Sequence, residues 1–162
     1  MRILTGTATV LAAMALGQIA AAQDTPRRGG ILTHVVESET STFDCHASGT
    51  SFTLQTVSPH YSTLLRFDPN DYSNVIGDLA ESWEVSDDGT EYTFTLRDGV
   101  TFHDGSTFDA EDVKATWDKI VNPPEGIVSV RQARYSDITD ISIIDPLTVR
   151  FTLDGPNSAA ES

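Results

Sequence analysis

A change of hydrophobic period after residue 108 constrains the fold of this chain more than any other feature. Tyr92, Phe94 and Leu96 alternate with polar residues, which predicts a strand with one buried face and one solvated face. Beyond this strand the apolar residues are spaced three or four apart, at Ala110, Val113, Trp117 and Ile120. This spacing predicts an amphipathic helix with a single apolar stripe. Residues 77–120 are therefore predicted to form a sheet followed by a helix.

Turn and capping residues predict where these elements end. Residues 86–90 contain an Asp-Gly pair and predict a hairpin turn. Asp109 is placed to cap the N-terminus of the helix, and Asp112, three residues later, completes a capping box. Pro123 and Pro124 end the helix, because proline has no amide hydrogen for the helical ladder.

The sheet is predicted to extend on both sides of the helix. Residues 100–102 are expected to continue it before the helix begins. After the helix, residues 137–144 and 147–153 both alternate, and Asp145 and Pro146 join them as a second hairpin. The pattern indicates an α+β unit without an internal repeat.

The segment that precedes this unit gives weaker signals. Residues 30–38 are predicted to form a strand buried on both faces. Its apolar residues are Ile31, Leu32, Val35 and Val36. Residues 53–66 have near-helical spacing, and Pro59 lies inside it, so that a helix is expected to start or kink there. Residues 66–74 are rich in Pro, Asn and Asp and predict a linker, our candidate for a domain crossing.

The first residues and the overall charge predict an exported, soluble protein. Arg2, an apolar run over residues 10–16 and the small residues 20–22 are typical of a signal peptide, and the run is too short to span a bilayer. The formal net charge of −14 argues against nucleic acid or an anionic membrane as a partner. Cys45 is the only cysteine, which excludes an intrachain disulfide and a cysteine-based zinc site.

No residue pattern predicts catalysis or a resident cofactor. His103 and Asp104 precede Gly105 after a strand, and adjacent side chains at such a turn point apart, so the motif predicts a corner and not a base with its orienting carboxylate. The four histidines lack the spacing of paired metal ligands on a helix. They are His34, His46, His60 and His103. A metal site assembled from distant histidines stays open as an alternative.

Residues 46–52 form a loop of small side chains between the predicted strand and the predicted helix. Main-chain groups in such a loop stay free to meet a ligand, and loops in this position form the usual ligand crevice of α/β sheets. An ordinary connection is the alternative explanation.

The central segment resembles the extracellular solute-binding proteins of ABC importers, in the large family that binds peptides and nickel. The resemblance rests on short motifs that occur in the same order, with "TFDCH" before them and "DPLTVRFTL" after them. The motifs are Leu79–Trp83, Asp88–Thr90, Tyr92–Phe94, Leu96–Arg97, Gly99–Val100, Phe102–Gly105, Phe108 and Ala110–Val113.

The resemblance implies an α/β fold with local α+β character. It would be the bilobed periplasmic-binding-protein fold of the large three-domain class, with only its N-terminal part present. The implied divisions are a signal peptide over 1–22, the start of the first ligand-binding lobe over 23–69, an accessory α+β domain over 70–153 and a truncated return toward the first lobe over 154–162.

The resemblance also implies a ligand-binding loop whose main chain pairs with an extended peptide. Carried over by position, its residues are Ala47, Ser48, Gly49 and Thr50. Gly49 would provide either a special backbone angle or close approach of the ligand. The family usually has Asp-Pro-His just before this loop, whereas this chain has Cys45 in the place of the proline, which changes how the chain enters the loop.

The implied function is that of the periplasmic substrate-binding component of an ABC importer. It would capture peptides or another small solute as a monomer and deliver them to an ABC permease with its ATPase subunits. A nickel-type metal or metal-chelate carrier of the same family is an alternative, and so are a secreted hydrolase and a protein that keeps this fold but signals to a receptor.

Overall fold

The computed structural model describes residues 29–31 and 33–156. The chain divides into two compact units, residues 1–34 and residues 35–162. The few described residues of the first unit contain neither helix nor strand. The predicted signal peptide, residues 1–22, lies outside the described residues.

All described helices and strands belong to the second unit. In chain order they are α1 (Ser51–Val57), a 3-10 turn (Ser58–His60), β1 (Leu65–Asp68), β2 (Asp71–Gly77), β3 (Ala80–Val85), β4 (Glu91–Leu96), α2 (Ala110–Val121), a second 3-10 turn (Gln132–Tyr135), β5 (Ile138–Asp145) and β6 (Thr148–Leu153).

Four strands form an antiparallel sheet in the order β3-β4-β6-β5. The side chains of β4 and β6 alternate between buried and less buried positions, as the sequence predicts. Their buried residues are Tyr92, Phe94, Leu96, Val149, Phe151 and Leu153. The two predicted hairpins, β3–β4 and β5–β6, are therefore confirmed. Strands β1 and β2 form a separate two-stranded antiparallel sheet.

Helix α2 packs its apolar stripe against the four-stranded sheet. Ala110, Val113 and Ile120 are buried there. The ring of Trp117 meets Phe151 edge to face at 5.1 Å, and Phe151 meets Phe94 in the same way at 5.6 Å. These contacts join helix and sheet into one hydrophobic core, with edge-to-face geometry favoured by the ring quadrupoles.

The predicted capping box at the start of α2 is confirmed. The carboxylate of Asp109 accepts a hydrogen bond from the Glu111 amide at 2.9 Å, and Asp112 accepts one from the Asp109 amide at 3.0 Å. The helix ends at Val121, and its C-cap Asn122 directly precedes the two prolines. Both ends of α2 are therefore determined by local sequence.

The strand predicted over residues 30–38 is wrong for the residues that the structure describes there. Ile31 is 96% exposed and Val35 is 95% exposed, and Leu32 lies outside the described residues. A strand buried on both faces needs a neighbouring strand and a layer on each face. None of the described strands pairs with this segment.

Two further predictions between residues 53 and 74 are wrong. The helix neither starts nor kinks at Pro59: it runs from Ser51 to Val57 and gives way to a 3-10 turn, because Pro59 cannot donate the next helical hydrogen bond. Residues 66–74 are not a linker, because β1 and β2 pair across them as a hairpin. The prediction that an accessory domain begins near residue 70 remains a prediction.

Residues 100–102 also differ from expectation. They do not form a strand of the four-stranded sheet, and Thr101 makes only an isolated antiparallel bridge with Thr107.

In the described part of the chain, no helix has the length and apolar character needed to cross a membrane.

Replacement of Trp117 by alanine should destabilise the protein strongly. The indole packs against Phe151 and, at 4.9 Å, against Tyr135, so its removal leaves a cavity between α2 and the sheet. A loss of about 3 kcal/mol in the free energy of unfolding is expected. The thermal midpoint, followed by circular dichroism, measures it. Tyr72→Ala is the control, because Tyr72 is 76% exposed and should change stability by less than about 0.5 kcal/mol. Equal midpoints for the two variants would contradict this description of the core.

Candidate ligand-binding loop

The four predicted site residues lie in the loop that enters α1. Ala47 and Ser48 are half-buried, whereas Gly49 and Thr50 are exposed. The hydroxyl of Thr50 accepts a hydrogen bond from the Thr53 amide at 3.3 Å and so caps the N-terminus of α1. The structure therefore brings the four residues together as one continuous surface loop. Whether they bind a ligand remains a prediction.

Asp44 shapes the beginning of this loop. Its Oδ1 atom accepts hydrogen bonds from the amides of His46 at 2.8 Å and Ala47 at 3.2 Å. Its main-chain oxygen accepts from the amides of Ala47 at 3.2 Å and Ser48 at 3.1 Å. The chain turns tightly through Cys45 as a result.

A cluster of hydroxyl groups around the buried Thr53 supports the loop from beneath. Thr53 is 0% exposed, and its Oγ1 atom lies 2.7 Å from Thr40 Oγ1, 3.0 Å from Ser48 Oγ and 3.1 Å from Thr50 Oγ1. Thr40 donates its hydroxyl proton to the Thr42 carbonyl at 2.6 Å. Thr53 must then donate to Thr40, because each hydroxyl carries a single proton.

This count of protons fixes the direction of the bonds to Thr53, and the Ser48 and Thr50 hydroxyl groups also lie 3.3 Å from one another. With its own proton given to Thr40, Thr53 can only accept from Ser48 and Thr50. The hydroxyl groups of Ser48 and Thr50 have thereby used their protons, and they can offer only oxygen lone pairs to a ligand. Donors for a ligand must come from the main chain of the loop.

The main chain of the loop provides such donors and acceptors. Among the described residues, no hydrogen bond occupies the amides of Gly49 and Thr50 or the carbonyls of Ala47, Ser48 and Gly49. By contrast, the carbonyl of His46 accepts from the Val130 amide at 2.9 Å. The loop therefore has an edge of free main-chain groups over residues 47–50, which we call the free edge.

Gly49 does not have a positive φ, the special backbone angle considered for it from the sequence. It is absent from the glycines with positive φ, and a Cβ atom built on it would meet only the Val130 side chain, at 3.6 Å, an ordinary contact. A special backbone angle is therefore not the reason for a glycine here. Close approach of a ligand remains the explanation to test.

Residues far away in sequence anchor the loop, and sequence reasoning missed them. Lys119, near the end of α2, forms an ion pair with Asp44, with 2.9 Å between Nζ and Oδ2. Arg131 donates from Nη2 to the Cys45 carbonyl at 3.2 Å. Single charges on a helix or in a loop carry no signal of such contacts, which is why only the structure finds them.

The electrostatics of the loop favour an ionised Asp44 and a neutral His46. The hydrogen bond from Lys119 lowers the pKa of Asp44, and the amide of His46 lowers it further. Burial lowers the pKa of His46, the charges of Arg131 and Lys119 lower it further, and Asp44 opposes them. His46 Nδ1 and Ser129 Oγ are buried without a hydrogen-bond partner in the described part of the chain.

The predicted corner at His103 is confirmed as a turn. Asp104 Oδ1 accepts from the amide of Ser106 at 2.9 Å and from its hydroxyl at 2.7 Å, and these bonds lower the pKa of Asp104. Gly105 has φ +88°, which a residue with a side chain rarely adopts. The Asp104 carboxylate therefore serves the turn and not the imidazole.

The described residues offer no metal site, and an open cleft among them lies away from the loop. They contain no group of three or more His, Cys, Asp or Glu residues that could hold a metal ion. An open cleft of about 470 Å³ lies apart from the loop, between the end of α2 and the start of β5. Its lining residues are Val121, Asn122, Gln132, Ala133, Ser136 and Ile138.

The comparisons with known proteins identify the class. Residues 74–162, more than half of the chain, match the family described as "Bacterial extracellular solute-binding proteins, family 5 Middle". The chain therefore belongs to the family 5 solute-binding proteins of ABC transporters, which are periplasmic, non-enzymatic transporter components that bind small solutes and work with permease and ATPase subunits.

Individual relatives differ in what they bind. Over 81 residues the chain is 48% identical to the glutathione-binding protein GsiB of Salmonella paratyphi A, covering 50% of this chain and 15% of that protein. NikZ of Campylobacter jejuni, solved with Ni(L-His), is 39% identical with a TM-score of 0.56, over 61% of this chain and 19% of NikZ. DppA of Helicobacter pylori, solved with the peptide STSA, is 27% identical with a TM-score of 0.65. The match covers 74% of this chain and 26% of DppA.

These matches confirm the predicted fold class, since the structural neighbours are periplasmic binding proteins of the family 5 fold. The chain spans only about a seventh of the curated relatives' length, the 15% given above. The nature of the solute is not decided by the comparisons, because glutathione, a nickel chelate and a peptide are all represented.

Removal of the Thr53 hydroxyl should loosen the candidate loop. Thr53→Val keeps the shape of the side chain but removes the hydroxyl that binds Ser48 and Thr50, whose hydroxyl groups then retain only each other, at 3.3 Å. A loss of about 1 kcal/mol in the free energy of unfolding is expected, since the hydrogen bonds to the fully buried Thr53 hydroxyl are removed. Thermal denaturation measures the loss.

Thr56→Val is the matched control for this change. Thr56 lies in the same helix, and its hydroxyl donates only to the Phe52 carbonyl at 2.8 Å, a bond within the helix. Thr56→Val should lower the free energy of unfolding clearly less than Thr53→Val does. If Thr53→Val destabilised no more than Thr56→Val, the hydroxyl cluster would not support the loop.

Proposed function

We propose that this chain is part of the periplasmic substrate-binding component of an ABC importer and that the solute is a peptide. The free edge over residues 47–50 carries the proposal. It offers main-chain donors and acceptors side by side, and an extended peptide satisfies such an edge as an added strand would. The small side chains along the edge allow the two main chains to approach closely.

The peptide proposal draws further support from two relatives. One is named for glutathione, which is itself a tripeptide, and another was solved with the peptide STSA. The alternative is a carrier of a metal chelate, favoured by the likeness to NikZ with Ni(L-His). A secreted hydrolase is the alternative from another class, and it would need a nucleophile with a base near this loop.

Side chains introduced at Gly49 should weaken peptide binding without destabilising the protein. A Cβ atom at this position has room within the chain but would project where the ligand backbone must approach. Calorimetric titration of the complete gene product with glutathione and with the peptide STSA should show affinity reduced about tenfold in Gly49→Ala and further in Gly49→Val, where tenfold corresponds to about 1.4 kcal/mol.

Gly155→Ala is the matched control, because Gly155 also lacks a positive φ and a Cβ atom there meets nothing within 4 Å. The affinity of Gly155→Ala for glutathione and for the peptide STSA should equal that of the unmodified protein. Unchanged affinity in Gly49→Val would remove this loop from the site. Titration with Ni(L-His) decides between the two solute classes, since binding of the chelate in the absence of peptide binding would favour the metal carrier.

Residues 23–162 alone should bind these peptides weakly or not at all. One side of a binding cleft leaves its main-chain groups open to water. A hydrogen bond from these groups to a peptide then only replaces one to solvent. Micromolar affinity of this segment, about −8 kcal/mol, would show that the free edge suffices for binding.

Export should remove the signal peptide. Sequencing of the N-terminus of the exported protein is expected to give a start near Gln23, after the small residues Ala20–Ala22. An exported protein that still begins with Met1 would contradict the predicted cleavage.

A further inference from the structure

The loop that carries the free edge is anchored by two cations from distant parts of the chain. Lys119 of α2 lies 75 residues from its partner Asp44, and Arg131 lies 86 residues from Cys45. Between these contacts, the carbonyl of His46 accepts from the Val130 amide. Three consecutive loop residues are thus each bound to the segment 119–131.

The carboxylate of Asp44 links this anchor to the conformation of the loop. One oxygen, Oδ2, accepts from Lys119 at 2.9 Å, while the other, Oδ1, accepts from the amides of His46 and Ala47. The two oxygens belong to one rigid planar group. Lys119 therefore determines how Oδ1 is oriented toward the amides of His46 and Ala47, which lead the chain into the free edge.

The exposure of this ion pair indicates what it contributes. The side chains of Lys119 and Asp44 are 41% and 36% exposed, and pairs with such exposure contribute little to global stability. A pair that adds little to global stability can still decide the position of a surface loop, because such loops open locally at a lower free energy than the core unfolds.

We propose that Lys119 is a positioning residue of the binding loop, which holds the free edge in its binding geometry through the Asp44 carboxylate. This inference rests on the proposed function, since it assigns Lys119 to that same site. Lys119 does not touch the solute. Its effect passes through Asp44 to the amides of His46 and Ala47.

The chain offers a matched control on the same helix. Lys114 also forms one ion pair, with 3.2 Å between its Nζ and Asp118 Oδ2, and its side chain is 36% exposed. Lys114→Met and Lys119→Met thus remove the same charge from α2 at similar exposure, and only the second loses a contact with the loop. Lys119→Arg retains a cation that can bind the carboxylate and should restore the native behaviour.

The test measures hydrogen exchange of residues 44–50 by mass spectrometry in the complete gene product without solute. Lys119→Met should accelerate exchange of the His46 and Ala47 amides about tenfold, whereas Lys114→Met and Lys119→Arg should not. Calorimetry with glutathione and the peptide STSA should show an affinity about fivefold to tenfold lower in Lys119→Met alone, with a thermal midpoint equal to that of Lys114→Met.

A double variant identifies the route of the effect. Asp44→Asn combined with Lys119→Met should exchange no faster than Asp44→Asn alone, because the second change removes a partner that is already lost. Additive effects would show that Lys119 acts on the loop by another path and would overturn the proposal.

The pH dependence gives a further readout. The hydrogen bond from Lys119 lowers the pKa of Asp44, so the anchor is present above the ordinary range of an aspartate and is lost as the pH falls through the lowered pKa. In Lys119→Met the pKa of Asp44, followed by carboxyl-carbon NMR, should rise toward its ordinary value. His46 and Arg131 also face this region, and Lys119→Arg should keep the lowered value.

The outcomes separate this inference from the proposed function. Native exchange rates in Lys119→Met would overturn the positioning role whatever the loop binds. Accelerated exchange with unchanged affinity would instead show that the loop lies outside the site, and both the proposed function of the loop and the assignment of Lys119 to it would fail. Accelerated exchange with lowered affinity supports both.

Discussion

The structure depends on the packing of α2 against the apolar face of its sheet. Phe151 stands at the centre of this contact, edge to face with Trp117 of the helix and with Phe94 of the neighbouring strand. A dense core of this kind fixes the position and rotation of a helix within narrow limits, because a shift would open voids among the rings. The opposite face of α2 is thereby fixed as well. Lys119 reaches Asp44 only because the core holds the helix in this place.

The free edge is thus connected to the hydrophobic core by a short chain of contacts. The core places α2, α2 places Lys119, Lys119 orients the Asp44 carboxylate, and the carboxylate holds the first amides of the loop. Beneath the loop, Thr53 performs a second task by taking up the hydroxyl protons of its neighbours. Polar contacts of Asp44, Thr53 and Arg131 therefore support the loop.

Local patterns predicted those elements whose residues are buried periodically. The alternation of Tyr92, Phe94 and Leu96 and the capping pair of Asp109 and Asp112 depend only on neighbours in sequence, and the structure confirms both. The hairpin of β1 and β2 was missed because most of its residues are exposed and lack a periodic signal. The strand predicted around Ile31 failed for the opposite reason, since its apolar composition is real but no described strand pairs with it.

The candidate loop itself could be predicted, since small residues before a helix are visible in the sequence. Its anchors could not, because a lysine on a solvated helix face has no pattern that names its partner. These anchors also impose an order on folding. The loop leaves the ribosome 75 residues ahead of Lys119 and 86 residues ahead of the arginine that holds Cys45. Contacts of such long sequence separation form late, after the loop-closure entropy has been overcome. During synthesis the loop therefore stays without its anchors until α2 has docked against the sheet.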